Sequence, residues 1–270
     1  MVSSVKNSGE AVKLIRVIYK SVLFTVVLIL FLFLNFLISL ILRDTKTKLF
    51  FTTKVTTFLV NLSLKVFNVN VKVVDEQRYR KGKNFLAVSN HVSYIDVFSI
   101  ASIMNSVFVA SVDGIERDLL MGMAARLSGG IFVERKNRSR VREDMKAIKN
   151  VLDLGYNVVL FPEATTSNGD SVLPFKSSFF ASAIYAKADI VPVCINYKDL
   201  NGGPITRDNR DNVYYYEELE FFPHFFNMLK QKTITIEIRY LKKIEFDPKK
   251  NRKELCDETY KEIVAEFKKL

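Results

Sequence analysis

Residues 85–96 read FLAVSNHVSYID. The run FLAVS is short and apolar, as a buried strand is, and Asn90, His91 and Ser93 follow where that strand would end. A helix-like stretch, Tyr94–Met104, comes next. A strand that ends in a polar loop ahead of a helix is the repeating unit of an α/β sheet, and such sheets collect ligands in the crevice beyond the carboxyl ends of their strands. Similar β-branched runs lie on either side, at Val69–Val74, Val107–Ser111, Ile131–Val133, Val158–Phe161, Ile190–Ile195 and Thr233–Tyr240. Helix-like stretches separate several of them: Arg117–Leu127, Arg138–Leu154, Ser177–Lys187 and Arg252–Lys268. This alternation predicts an α/β fold, a mixed central sheet flanked by helices. No internal repeat, low-complexity tract or Pro/Gly linker interrupts it. Residues 199–230, rich in aromatics, form a long excursion; a lid or a membrane-facing loop would fit, and a plain surface insertion is the preferred reading.

Ahead of this region, residues 22–42 read VLFTVVLILFLFLNFLISLIL, a run of 21 without a charge. About 20 such residues cross a bilayer core as a helix. A secretory signal would have a shorter apolar region and a small-residue cleavage site; Arg43, Asp44, Thr45 and Lys46 follow instead, so the helix is expected to be retained. Leu49–Val69 is apolar but carries Lys54 and Lys65, which suits an interfacial amphipathic helix or one arm of a shallow hairpin. The expected division is therefore 1–68, N-terminal membrane-anchoring helices, and 69–270, a catalytic α/β domain. Net charge is +11, from 40 basic and 29 acidic residues among 270. Residues 1–83 hold 14 basic and 4 acidic side chains, a surplus of 10, so nearly all the excess flanks the apolar segments. That distribution favours anionic lipid head groups and argues against nucleic acid as a partner. Four cations precede the uncharged run and four follow it, which leaves the positive-inside rule no asymmetry to act on. Cys194 and Cys256 cannot make a disulfide framework, so a reducing compartment is expected, with the catalytic domain on the cytoplasmic face of a membrane.

The chemistry-bearing residues fall into three groups. In the first, His91 and Asp96 are five apart. If a helix begins near Tyr94, His91 sits in the loop and Asp96 in the first turn, so the carboxylate can orient one imidazole nitrogen and leave the other as a base. Ser93 and Asp96 also fit a capping box, and spacing alone leaves the two roles open and compatible. No H-E-x-x-H, Cys cluster or G-x-S-x-G occurs, so neither a metal site nor a Ser hydrolase is expected. In the second, Ile131–Val133 runs into Glu134, Arg135, Lys136, Arg138, Arg140 and Arg142. Arg135 at a strand end suits a phosphate, because guanidinium donates paired hydrogen bonds to oxyanions; a solvated basic helix start is the preferred reading of this stretch alone. In the third, Phe161-Pro162-Glu163-Ala164-Thr165-Thr166-Ser167 follows the run NVVLF. Glu163 can bind a hydroxyl there or hold a backbone turn. Lys176 adds a cation before the next helix.

In order and spacing these groups resemble the glycerophospholipid acyltransferases of the 1-acylglycerol-3-phosphate acyltransferase type. That family carries N-H-x4-D, F-[VI]-x-R, F-P-E-G-T-[RS]-S and V-P-[VI]; here they read NHVSYID, FVER, FPEATTS and VPV, within residues 69–198. The resemblance implies a membrane-bound enzyme that acylates a lysolipid, with acyl-CoA or acyl carrier protein as donor and no cofactor. His91 would be the general base and Asp96 its orienting partner. Arg135 would hold the acceptor phosphate, and Glu163 and Thr165 would bind and shape the acceptor site, with Lys176 beside them. Two positions depart from the pattern: Ala164 stands where the family usually has Gly, and Thr166 where lysophosphatidate enzymes often have Arg. The lost Arg points away from lysophosphatidate and toward other lysolipids, such as lyso-ornithine lipid.

Overall fold

A computed structural model describes residues 2–76, 84–111, 119–133 and 141–270. Seven strands form one sheet: β1 (Val69–Val74), β2 (Leu86–Ser89), β3 (Ser106–Ser111), β4 (Ile131–Val133), β5 (Asn157–Leu160), β6 (Ile190–Leu200) and β7 (Ile234–Tyr240). Their order is β1-β7-β6-β2-β5-β3-β4. From β6 to β4 every neighbour is parallel, β7 runs antiparallel to β6, and β1 pairs parallel with β7. The sheet is thus mixed, as the alternation predicts. β2 is buried at all four positions, which suits a central strand covered on both faces. β7 alternates buried and half-buried residues, with Ile234, Ile236 and Ile238 in the core.

The helices are α1 (Val2–Ile41), α2 (Thr45–Phe67), α3 (Ile95–Ile103), α4 (Leu119–Leu127), α5 (Val141–Asp153), α6 (Ala181–Ala186), α7 (Phe221–Leu229) and α8 (Arg252–Glu266). α1, α2, α3, α4 and α7 cluster on one side of the sheet, and α5, α6 and α8 cover the other. Two differences from the sequence reading stand out. β6 continues to Leu200, five residues past the expected end, because it pairs with β7 along that length. The stretch expected as one helix from Ser177 opens instead with a 3₁₀ turn, Ser177–Phe180, before α6.

The two N-terminal helices form a hairpin. Asp44 caps α2, accepting from the Thr47 N–H at 2.8 Å and its hydroxyl at 2.6 Å, and Asn68 closes it in the left-handed conformation (φ 59°). α2 lies against the sheet domain along its whole length. Near its start the Tyr156 hydroxyl donates to the Lys46 carbonyl. Leu49 sits over Gly129, where a Cβ would come within 2.8 Å of Leu49 Cδ2 and φ is +82°. In the middle the Thr57 hydroxyl and the Asn61 amide donate to the carbonyls of Ala101 and Ser102, both at 2.9 Å. At the end Leu64 and Phe67 join the main core. α1 rests on the outside of α2. Lys20 is buried there, donating to the carbonyls of Phe67 (2.8 Å) and Gln231 (2.9 Å), and Arg16 donates to Lys230 O at 2.6 Å. Two cations on α1 thereby satisfy carbonyls at the carboxyl ends of α2 and α7, where the helix dipole favours positive charge.

The aromatic excursion is not a plain surface insertion. Val213, Tyr214, Met228 and Leu229 are buried, and the Tyr215 N–H donates to Val92 O in the loop after β2. Its apolar side chains are numerous enough to bury a face of their own.

Lys20→Met should leave both carbonyls without their charged donor. A loss of roughly 1.5–3 kcal/mol is expected, the range for hydrogen bonds to charged groups, together with faster proteolytic release of α1 in detergent. An unchanged melting temperature and cleavage rate would show that the latch carries no stability.

Candidate active site

The carboxyl ends of adjacent strands β2 and β5 carry the first and third motifs. β2 lies at the centre of the sheet, parallel to β5 on one side and to β6 on the other, and the chain leaves it for β3, beyond β5. The crevice beyond such a strand is the usual ligand position in α/β sheets. Asn90 fixes the strand end, its amide donating to Ile195 O at 3.0 Å and its side-chain oxygen accepting from Ile195 N at 2.8 Å.

The next residues wrap around one carboxylate. Asp96, fully buried in the first turn of α3, accepts at Oδ2 from Val92 N (2.7 Å) and Ser93 N (2.9 Å) and contacts His91 Nδ1 at 2.9 Å. Oδ1 accepts from the Tyr197 hydroxyl at 2.8 Å. Of the two roles left open by spacing, the His-orienting contact is formed, and of the capping box only the Asp96 half is, through the Ser93 N–H; Tyr94 is the N-cap of α3 and makes no side-chain cap bond. A carboxylate only accepts, so it holds the imidazole proton on Nδ1 and leaves Nε2 with a lone pair. The ring lies on Phe161, centroids 4.1 Å apart and planes within 18°, and its side chain is 17 % exposed. It is thus oriented on two sides and open on another.

Glu163 braces the same loop from β5. One carboxyl oxygen accepts from His91 N at 2.6 Å and the other from Leu173 N at 2.7 Å. The Ser167 N–H adds a bond to His91 O at 2.9 Å. Burial pushes the Glu163 carboxyl up to about 8, against the pull of the two N–H donors. Ala164, where Gly is usual, has φ +67°, the left-handed region that a Cβ disfavours. Thr165 is exposed, Thr166 half-buried, and Lys176 exposed with its backbone N–H on Pro162 O. Arg135 lies outside the described residues. Tyr197 and Asn90 are the site residues that sequence reasoning gave no role. Tyr197 gives no signal, since a tyrosine on a strand does not announce what its hydroxyl meets. Asn90 sits in the quoted motif, but its partner is 105 residues away. Among the described residues no group of His, Cys, Asp and Glu could hold a metal ion. A 320 Å³ depression lined by Phe85, Asn105 and Asn157 opens at the opposite end of the sheet, away from His91.

A family model described as Acyltransferase matches residues 70–196. A lyso-ornithine lipid O-acyltransferase from Brucella abortus is 30 % identical over 207 residues, covering 74 % of this chain and 76 % of that one. The chain belongs to the acyltransferase family. Another relative of this acyltransferase, the lyso-ornithine lipid O-acyltransferase of Rhizobium meliloti, is 30 % identical over 177 residues; the match takes in 63 % of this chain and only 60 % of the relative's length. Further relatives bear the name 1-acyl-sn-glycerol-3-phosphate acyltransferase. The crystal structure of the 1-acyl-sn-glycerophosphate acyltransferase of Thermotoga maritima shares the fold of this acyltransferase, with a TM-score of 0.70 at 18 % identity over 96 % of both chains.

Two outcomes follow from the brace. Because the folded chain holds a proton on Glu163 up to about 8, whereas the free side chain releases it near 4.5, this group's contribution to stability falls as pH rises through that window. Glu163→Gln, which keeps only one acceptor, should destabilise by about 1–3 kcal/mol and flatten the decline in melting temperature between those values. An unchanged slope would mean the carboxyl is ionised throughout. Ala164→Gly relieves a left-handed Cβ at the cost of some unfolded-state entropy. It should stabilise by about 1 kcal/mol, or roughly 2–4 °C in melting temperature. A lower melting temperature would refute the strain.

Proposed function

We propose that this chain transfers a fatty acyl group from a thioester, acyl-CoA or acyl carrier protein, to the free hydroxyl of a lysolipid at a membrane surface. The observation that carries the reading is the His91–Asp96 pair: a carboxylate-held imidazole whose second nitrogen has no partner among the described residues, set at a strand end in a chain of the acyltransferase family. In this mechanism His91 Nε2 takes the hydroxyl proton as the oxygen attacks the thioester carbonyl carbon. Asp96 stabilises the resulting imidazolium without taking the proton. The tetrahedral intermediate then collapses, the C–S bond breaks, and the thiolate leaves with the proton from His91. General-base assistance of this kind is worth about 10²–10⁴-fold.

Two acceptors fit. Lysophosphatidate, or a related glycerol lysolipid, would use Arg135 for its phosphate, with Thr165 and Lys176 near the acceptor. Lyso-ornithine lipid is favoured by Thr166, which removes an expected phosphate donor, and by the names of the Brucella and Rhizobium relatives. Glu163 serves the acceptor site by shaping the loop, since both of its oxygens are engaged by backbone N–H groups.

The membrane reading rests on α1. Glu10–Ile41 is long and apolar enough to cross a bilayer, and only 17 % of its most apolar window is buried. Yet α2 lies flat on the domain and α1 lies on α2. A perpendicular α1 would carry α3 and Tyr156 into hydrocarbon. The hairpin is therefore read as lying shallow in one leaflet, with the apolar side of α1 toward lipid.

The test is product analysis with purified full-length protein, offering lysophosphatidate and lyso-ornithine lipid with each donor. His91→Ala should lose at least about 100-fold in transfer with melting unchanged. Asp96→Asn should lose both activity and stability, because its amide must face either the Val92 and Ser93 N–H groups or the Tyr197 hydroxyl. A folded His91→Ala protein that keeps more than a tenth of wild-type activity, a loss under about 1.4 kcal/mol, would refute the general-base role.

A further inference from the structure

We propose that α7 is a second lipid-contacting element, whose Phe222–Phe226 face enters the bilayer boundary beside α1. The inference rests on the membrane reading above and extends it to a part of the chain separated from the N-terminal hairpin by six strands in sequence. The helix FFPHFFNML has two unlike faces. His224, Met228 and Leu229 are buried. Phe222 is 68 % exposed and Phe226 44 %, with Pro223 exposed between them. Large aromatic side chains left in water beside one another mark an interaction surface.

Position identifies the occupant. The Phe225 ring stands 5.5 Å from Phe24 of α1 and 6.0 Å from Phe67 of α2. Lys20 and Arg16 hold the carboxyl end of α7 through Gln231 O and Lys230 O. The exposed Phe residues thus stand on a helix packed against α1, whose own exposed side carries Tyr19, Val22 and Val26. A surface that lies against lipid along α1 meets lipid at α7 as well. Charge agrees with a tilted helix: Glu217, Glu218 and Glu220 precede α7 and stay in water, and Lys230 and Lys232 follow it, where anionic head groups would lie.

The contact reaches the reaction loop through aromatic rings. Phe221 packs on Tyr94 at 5.3 Å, and the Tyr94 hydroxyl meets His224 Nδ1 at 3.1 Å. Tyr94 lies between His91 and Asp96. Seating α7 in the bilayer boundary therefore sets the height of the His91 loop above the lipid that delivers the acceptor.

The chain has no tryptophan, so a single introduced one reports its own surroundings. Full-length Phe222→Trp protein is mixed with phosphatidylcholine–phosphatidylglycerol vesicles carrying brominated acyl chains. Val26→Trp on α1 and Tyr185→Trp on α6, across the sheet, serve as references. Quenching and a blue shift for Phe222→Trp and Val26→Trp, with Tyr185→Trp unaffected, are expected. Phe222→Ser/Phe226→Ser should weaken vesicle partitioning by about tenfold or more at an unchanged melting temperature. Quenching of Val26→Trp alone overturns the role of α7 and leaves the membrane reading intact. Quenching of neither overturns both. A lipid-free, concentration-dependent blue shift of Phe222→Trp would show that a second copy of the chain covers this face, and overturns the lipid assignment.

Discussion

One buried carboxylate organises the loop that carries His91. Asp96 collects two backbone N–H groups, one imidazole and one phenol, and each comes from a different structural role. The N–H groups belong to the loop, the carboxylate to the first turn of α3, and the phenol to β6. A carboxylate taken fully out of water is tolerable only when its lone pairs are met, and here four donors meet them. Loss of any one donor would be felt by the others, because each depends on where the carboxylate stands. The orientation of His91 is therefore a property of the sheet as a whole: β2 supplies the loop, β6 the phenol, and β5 the Phe161 ring beneath the imidazole.

A second buried carboxyl supports the first from the opposite direction. Glu163 spans from the end of β5 to the His91 backbone and to Leu173, so two loops that are far apart in sequence move as one body. The two acids divide the work by what they touch. Asp96 meets the imidazole and sets its tautomer, whereas Glu163, among the described residues, meets backbone N–H groups and sets where the imidazole sits. The left-handed Ala164 lies immediately after Glu163, which places a strained residue where the brace turns away from the strand.

Much of the architecture was legible because it is written in local patterns. β1 and β4 fall on the expected residues, and the other strands of the sheet begin within a residue or so of expectation. The His91–Asp96 relation was legible as well, since both residues lie on one loop-to-helix passage. What the sequence concealed is long-range. Nothing near Tyr197 signals that its hydroxyl meets Asp96, 101 residues away. Glu163 read equally as a hydroxyl ligand or a backbone holder, and only the placement of the His91 and Leu173 N–H groups separates the two. The aromatic excursion resembled an insertion because its partners, Val92, Phe24 and Phe67, belong to elements distant in the chain. Lys20 looked like one more flanking cation of an apolar run; its burial becomes visible only once the carboxyl ends of two helices converge on it.

That convergence has a consequence for how the protein is made. α1 leaves the ribosome before α7 does, and the Gln231 carbonyl that Lys20 needs lies 211 residues further on. At roughly 5–20 residues per second, its docking partner is absent for about 10–40 s. The edge strand β1 waits similarly for β7, whose residue Ile234 pairs with Val69. During that interval α1 lacks α7 and α2 lacks the sheet, so the side that α2 turns to the core, with Leu64 and Phe67, is uncovered. A nascent chain that met a lipid surface early would have its apolar side covered while the remaining strands are synthesised.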